Sequence, residues 1–353
     1  MSIVGKTRNL LQGEWYTTCN NMISSEELKK VCAQYDIGDL VSLEEIGEGA
    51  LNRNYLLHTT AGKYFIKSVR EKMKDKLVSV YAVESYMKSK GIPAVVMIAT
   101  TSGDIFYTSL SEVYTIYPFI ESDRNHSYNS ADYTRMGEML GKIHRVGSVH
   151  LPELLHSVKH FALSKNQVIV GKFNEYKEDI LRKTDPDEID KLFLRYLDFK
   201  LEIIPKIEIV TLENDTFTHG DYHSGNLLID EESREIIGVC DWEKAEYAPR
   251  SYELARSLLY ACLIGQTDLQ VMLENSKAFY KGYLAVYPMS KDEIIRGLWM
   301  RIHKTALSSW IEEAYYHRQD DRANKFIETE MDLVDIVVNK GLLSDIEKLV
   351  DDL

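Results

Sequence analysis

The sequence predicts an α+β protein in two lobes, a small β-rich N-lobe and a larger, mainly helical C-lobe. Three observations carry that prediction. Between residues 41 and 120, short runs of branched and aromatic residues alternate with turn residues around one helical stretch. From Ser130 onward the apolar spacing becomes helical. One polar stretch, 218–243, interrupts that helical half with two apolar runs on either side of a turn. The expected organisation is an N-terminal arm and helix at 1–40, an N-lobe at 41–118 and a C-lobe at 119–353.

The bulk numbers exclude several classes. A chain of 353 residues suits one bilobal domain or two modest ones. Hydrophobic content of 44% and charged content of 27% are ordinary for a globular protein. No apolar run approaches the roughly 18 residues of a membrane helix. Met1 to Gln12 lacks the apolar core of a secretory signal. Cys19, Cys32, Cys240 and Cys262 are scattered without metal-ligand spacing, which implies reduced thiols and a cytoplasmic protein. The net charge of −13 disfavours nucleic acid and anionic membrane as partners and suits a cationic small molecule.

In chain order, residues 1–21 show no clear period. Ser24-Ser25-Glu26-Glu27 is a helix-start signal with a capping-box pattern, and Leu28, Val31, Cys32 and Tyr35 follow at helical spacing. Two expectations stand for the start. Either Met22 is the native first residue, or 1–21 is a genuine arm anchored by Leu10, Leu11, Trp15 and Tyr16; intact mass of the native protein separates them. Strands are expected at Leu43–Gly47, Asn54–Thr59, Tyr64–Val69, Val95–Thr100, Ile105–Leu110 and Val113–Ile120, with a helix at Asp75–Lys90 ended by Gly91-Ile92-Pro93. Lys67 falls inside an apolar strand, a costly position unless its ammonium reaches an anion.

The chemistry concentrates at Thr218-His219-Gly220-Asp221-Tyr222-His223-Ser224-Gly225-Asn226 and at Asp241-Trp242-Glu243. Between them, Leu227–Ile229 and Ile236–Cys240 flank the turn 230–235, a hairpin pattern with Asn226 and Asp241 at its open ends. Asp221 could orient an acceptor hydroxyl and take its proton. Asn226 and Asp241 offer hard oxygen ligands for Mg²⁺, which fills its other positions with water and phosphate oxygens.

This pattern, His-Gly-Asp-x-x-x-x-Asn, a hairpin, then Asp-Trp-Glu, resembles the aminoglycoside phosphotransferase and choline kinase superfamily, small-molecule relatives of protein kinases. The resemblance implies a bilobal protein-kinase-like fold, ATP and Mg²⁺ as cofactors, and a nucleotide-binding N-lobe. It implies that Asp221 is catalytic, that Asn226 and Asp241 bind metal, and that Lys67, braced by Glu84, holds the non-transferred phosphates. Glu71 is a second candidate brace. The loop 46–52 would lie over the phosphates through Gly47, Gly49 and Asn52, though it has fewer glycines than a protein-kinase loop. Backbone groups around Ile116 to Phe119 would meet the base; Pro118 removes one donor.

His144, in Leu140-Gly141-Lys142-Ile143-His144, reads as a packed core histidine, His219 as a backbone-bonding residue and His223 as a loop histidine bonding locally. Glu253 stands where the family commonly has Asp, so its role is in doubt. Trp299, His303, Trp310, Glu312, Glu313, Tyr315 and Tyr316 form an aromatic and acidic cluster that either flanks an acceptor or packs a helix. The expected activity is transfer of the γ-phosphate of ATP to a hydroxyl of an aminoglycoside, amino alcohol, amino acid or sugar. A protein kinase is disfavoured because no Ala-Pro-Glu motif follows Asp241. A non-catalytic, spore-coat-like nucleotide binder is disfavoured because every polar group needed is present.

Overall fold

The computed structural model describes residues 23–48, 53–109, 112–123, 126–149, 160–162, 166–264, 266 and 268–353. Its contacts divide the chain into two compact units. The first holds residues up to 124 together with 228–231 and 237–243; the second holds 125–227, 232–236 and 244–353.

The first unit begins with α1 (Ser25–Cys32), capped by the Ser24 hydroxyl, which accepts from the Glu27 amide at 3.1 Å. A five-stranded antiparallel sheet follows in the order β1-β2-β3-β5-β4, with β1 at Leu40–Glu48, β2 at Arg53–Thr59, β3 at Gly62–Arg70, β4 at Tyr107–Ser109 and β5 at Glu112–Pro118. Leu28, Val31 and Tyr35, the helix-spaced residues of the sequence, are buried against Tyr55, Leu57, Ile66 and Ile116 of the sheet. The sheet and α1 therefore share one core. The helix α2 spans Lys74–Ser89.

One expected strand is absent. Val95–Thr100 makes only isolated bridges, Ala94 to Val239 and Ile98 to Ile116. The segment exchanges partners within a few residues: the Val95 amide donates to the Val239 carbonyl at 3.0 Å and the Ile98 amide to the Ile116 carbonyl at 2.7 Å. No single neighbour runs beside it long enough for a ladder, so its apolar pattern serves burial instead of pairing.

The predicted hairpin forms as β7 (Leu227–Ile229) and β8 (Ile236–Val239), after a short β6 (Thr216–Thr218) that pairs with β9 (Glu246–Ala248). Apart from β6 and β9, the second unit is mainly helical. Its α3 (Ser130–Gly147) opens with a capping box between Asn129 and Asp132 and buries Met136, Leu140, Ile143 and His144. Next come α4 (Asn166–Leu181) and α5 (Glu188–Ile203), the latter capped by Asp187. After β9 lie α6 (Arg250–Leu258), which runs into a π turn at Leu259–Leu263, then α7 (Leu269–Val286) and α8 (Lys291–Ala306). The chain ends with α9 (Trp310–Glu312) leading into a second π turn, α10 (Ile327–Val338) and α11 (Leu342–Asp351). Phe173, Phe193, Leu197, Ile311 and Ile327 fill one core of this unit. Among the described residues no helix is long and apolar enough to cross a membrane.

Candidate active site

In the first unit, the site is built on Lys67. β3 is buried at Ile66, Ser68 and Val69 and carries the ammonium to two carboxylates: Nζ lies 2.9 Å from Asp241 Oδ1 and 3.0 Å from Glu243 Oε1. Burial lowers the Lys67 pKa, but the two carboxylates outweigh it and raise the pKa above the ordinary lysine value. Trp242 makes this possible. Its indole is buried and donates to the Val239 carbonyl at 3.1 Å, which anchors the tripeptide. Asp241 itself has φ of 64°, a left-handed backbone that Asp tolerates better than most residues and that marks functional positions.

The expected brace from Glu84 is not formed. Glu84 is 1% exposed, and both of its oxygens are engaged elsewhere: Oε2 accepts from the Met97 amide at 3.1 Å and Oε1 from the Tyr117 hydroxyl at 3.2 Å. The segment that failed to form a strand runs past α2 and takes that carboxylate for its own backbone. Lys67 is held instead by the acidic residues after β8. Glu71 does not replace Glu84; it pairs with Lys74 at 2.9 Å.

Ile116 is also displaced from its expected role. It is fully buried, pairs with Ile66 across β3, and its carbonyl is taken by Ile98. The Phe119 amide donates to the Lys63 carbonyl at 3.4 Å. Gly47 lies in β1, at a register irregularity between Glu45 and Glu48. Gly49 and Asn52 fall outside the described residues.

In the second unit, the loop after β6 presents Asp221. Gly220 has φ of 77°, and a Cβ there would stand 1.9 Å from the Lys244 carbonyl, so no side chain fits. Asp221 is 8% exposed. Arg256 donates to its Oδ1 and Lys244 to its Oδ2, the latter at 2.9 Å. Burial pushes its carboxyl up, but the two cations more than reverse this and hold it well below the usual carboxylate range. His219 accepts the Asp221 amide on Nδ1 at 3.2 Å, and His223 accepts the Gly225 amide on Nδ1 at 3.0 Å. Both are therefore locally bonded through Nδ1 and carry their proton on Nε2 when neutral. Burial lowers the His223 pKa, with Asp221 opposing, so His223 is neutral near pH 7.

Asn226 Nδ2 donates to the Asp221 carbonyl at 2.8 Å. That bond sets the amide's orientation and leaves Oδ1 without a donor among the described residues.

Sequence reasoning missed the frame around this loop. Glu253 of α6 accepts from the amides of both His219, at 2.8 Å, and Gly220. Its Oε2 also lies 2.9 Å from His144 Nε2, while His144 Nδ1 lies 2.8 Å from the Tyr283 hydroxyl. Arg256 follows Glu253 by three residues, on the same face of α6. The available sequence signal was the place of Glu253 in the family pattern; the burial of Ser251 to Leu258, Glu253 and Arg256 included, is seen only in the fold. Charges inside a fully buried helix must find partners.

Several members of the C-terminal aromatic and acidic cluster have partners within the protein. Glu312 is buried against Lys200 at 2.8 Å, Glu313 takes Lys172 and Ser309, and the Trp310 indole donates to Glu330 at 2.9 Å. Tyr315 and Tyr316 pack against Phe193.

Solved structures identify the fold. Spectinomycin phosphotransferase APH(9)-Ia, in complex with ADP and spectinomycin, matches with a TM-score of 0.65 at 18% identity, over 94% of this chain and 100% of that one. The microcompartment-associated aminopropanol kinase matches with a TM-score of 0.62 at 14% identity, over 92% of this chain and 100% of that one. The fold is thus the kinase-like fold of small-molecule phosphotransferases, with its β-rich N-terminal unit and mainly helical remainder. The chain belongs to the phosphotransferase enzyme family (APH), whose model matches residues 42–288. In sequence it is similar to a homoserine kinase of Bradyrhizobium diazoefficiens, 22% identical over 297 residues, which cover 82% of this chain and 86% of that protein.

Proposed function

We propose that the protein transfers the γ-phosphate of ATP to a hydroxyl of a small molecule, with Mg²⁺. The observation that carries this reading is Asp221, a buried carboxylate kept ionised by Arg256 and Lys244 on a loop pinned by Glu253. An anion so held is a firm hydrogen-bond acceptor for an incoming hydroxyl. It is a weak base, so Asp221 acts chiefly by orienting the acceptor, and takes its proton only as the new bond forms.

The residues suit a magnesium ion. Asn226 offers an oxygen whose direction its own Nδ2 bond sets, and Asp241 offers a carboxylate that is 39% exposed. Among the described residues no three His, Cys, Asp or Glu side chains are grouped to hold a metal. Magnesium does not need such a group, since it keeps several waters and phosphate oxygens. When bound, it would neutralise charge on the transferred phosphoryl group. Lys67 would hold the non-transferred phosphates, giving up one of its two carboxylates to do so. Gly47, Gly49 and Asn52 remain candidates for the loop over the phosphates.

The acceptor is a small molecule. Homoserine is a natural first candidate, given the relatives at low identity. The test is a coupled nucleotide-consumption screen over amino acids, amino alcohols, aminoglycosides and sugars. Consumption of ATP that requires both Mg²⁺ and one acceptor class is the expected result. Absence of both turnover with any acceptor and Mg²⁺-dependent ATP binding would reject the reading.

A further inference from the structure

Among the described residues, Arg301, on α8, has no counter-ion. It is 8% exposed, is hydrogen-bonded to the Tyr252 side chain and forms no ion pair with any described residue. Its Nε is buried with no hydrogen-bond partner. A buried guanidinium is rarely left so, because the desolvation cost is large unless an anion offsets it. The protein is acidic overall, so carboxylates are not scarce.

Its surroundings tie it to the loop of Asp221. The Arg301 guanidinium stands 5.6 Å from the centroid of the Tyr260 ring, and the Arg256 guanidinium stands 4.8 Å from the same centroid. Arg256 spends one nitrogen on Asp221; its Nη1 is buried and unpartnered. Tyr260 also stacks on His223, at 6.2 Å between centroids and 28° between planes. Tyr260 lies in the π turn that ends α6, a local irregularity often found at functional sites. The close approach of α8 to α6 is set by Gly297, one turn before Arg301: a Cβ there would stand 2.3 Å from the Ser251 carbonyl. Two guanidiniums thus share one aromatic ring beside the acceptor-orienting aspartate, and each keeps an N–H with nothing to bond.

We infer that the acceptor carries a carboxylate as well as its hydroxyl, and that Arg301, with the free arm of Arg256, receives it. Two like charges held against one aromatic face favour an anion that joins them, and Asp221 meets Arg256 alone. The phosphates of the nucleotide have Lys67 and the proposed metal ligands, so the missing anion belongs to the acceptor. The substrate class is therefore a small hydroxy acid or hydroxy amino acid. This reading departs from the expectation of a cationic acceptor drawn from net charge, because Arg256 and Lys244 stand beside Asp221 although the protein is acidic. The assignment rests on the phosphotransferase reading above.

The test pairs each acceptor with a neutral or cationic counterpart. Initial rates are measured with ATP and Mg²⁺ for L-homoserine, L-serine and 4-hydroxybutyrate, for their carboxamides, and for choline and 3-aminopropanol. The expected result is a kcat/KM for at least one acid that exceeds its carboxamide by about 10²-fold, the scale of a lost buried charge pair. Arg301→Gln should remove that preference by raising KM for the acid, with KM for ATP and the carboxamide rate little changed. Arg301→Lys should keep part of it. Turnover of choline or 3-aminopropanol, but of no acid, overturns the inference and leaves the phosphotransferase reading intact. Equal loss for acid and carboxamide in both variants also overturns it. The preference of the unaltered protein decides the matter even if Arg301→Gln does not fold. No turnover of any acceptor, with no Mg²⁺-dependent ATP binding, removes both readings together.

Discussion

Glu253 Oε2 lies 2.9 Å from His144 Nε2, and both side chains are buried to within 1%. A carboxylate only accepts, so Nε2 carries the proton and Nδ1 is free to accept from the Tyr283 hydroxyl. Burial pushes the Glu253 pKa up, but the His144 bond and neighbouring positive charge bring it below the ordinary glutamate value. The same carboxylate binds the amides of His219 and Gly220, so a chain of bonds runs from α7 through α3 and α6 to the backbone just before Asp221.

Glu253→Gln keeps the shape but turns one acceptor into a donor facing amide N–H groups. We expect a loss of about 2–4 kcal/mol in unfolding free energy, the scale for breaking a buried charged network. We expect kcat to fall with KM for ATP nearly unchanged, since the loop and not the nucleotide loses its support. Glu253→Asp should recover part of both. Urea unfolding and steady-state rates check this; a kcat that tracks the wild type while stability falls would mean the clamp serves the fold alone.

Asp221→Asn should cut turnover by roughly 10²–10⁴-fold, the usual range for losing a positioned acid or base. Nucleotide affinity should survive. Because Arg256 and Lys244 hold Asp221 below the ordinary carboxylate range, its stabilising contribution is complete above the unfolded value near 3.9 and is lost only as pH falls through its folded value. Asp221 should therefore contribute no step to the pH–rate profile between pH 5 and 9. A step in that window that disappears in Asp221→Asn would contradict its ionised state.

Glu84 behaves in the opposite sense. Burial pushes its carboxyl up to about 8, against the lowering influence of the Met97 amide, the Tyr117 hydroxyl and the Lys67 charge. Between the unfolded value near 4.3 and about 8, the folded protein holds a proton that the unfolded chain has released. Stability must fall as pH rises through that window. Glu84→Gln removes the titration and keeps an acceptor for Met97. The urea midpoint of the variant should therefore decline less between pH 5 and 8.5 than that of the wild type, and parallel declines would reject the assignment.

Asp241 combines a left-handed backbone with its bond to Lys67. Asn tolerates that conformation nearly as well, so Asp241→Asn should fold normally. It should lose Mg²⁺-dependent ATP binding by about tenfold or more, the effect of removing one charged partner. Calorimetry with and without Mg²⁺ measures this. Unchanged metal dependence would remove Asp241 from the proposed ligands.

Local pattern was enough for much of this protein. Alternating apolar residues announced β3 and β5, helical spacing announced α1 and α3, and the turn at 230–235 announced the β7–β8 ribbon, because each depends on neighbours a few residues away. The motif residues Asp221, Asn226, Asp241 and Lys67 could be singled out for the same reason: their spacing is a property of the chain. Partners distant in the chain were not legible. Glu84 looked like the companion of Lys67, yet Met97 and Tyr117 claim it, and Lys67 turns to residues 174 and 176 positions away. Val95–Thr100 has the composition of a strand but no neighbour to pair with. Glu253 stood out only by its place in a family pattern and Arg256 and Arg301 not at all, and it is the packing of α6 and α8 that buries them. Burial turns a surface charge into one that must be matched, and only the tertiary structure decides which side chains are buried together.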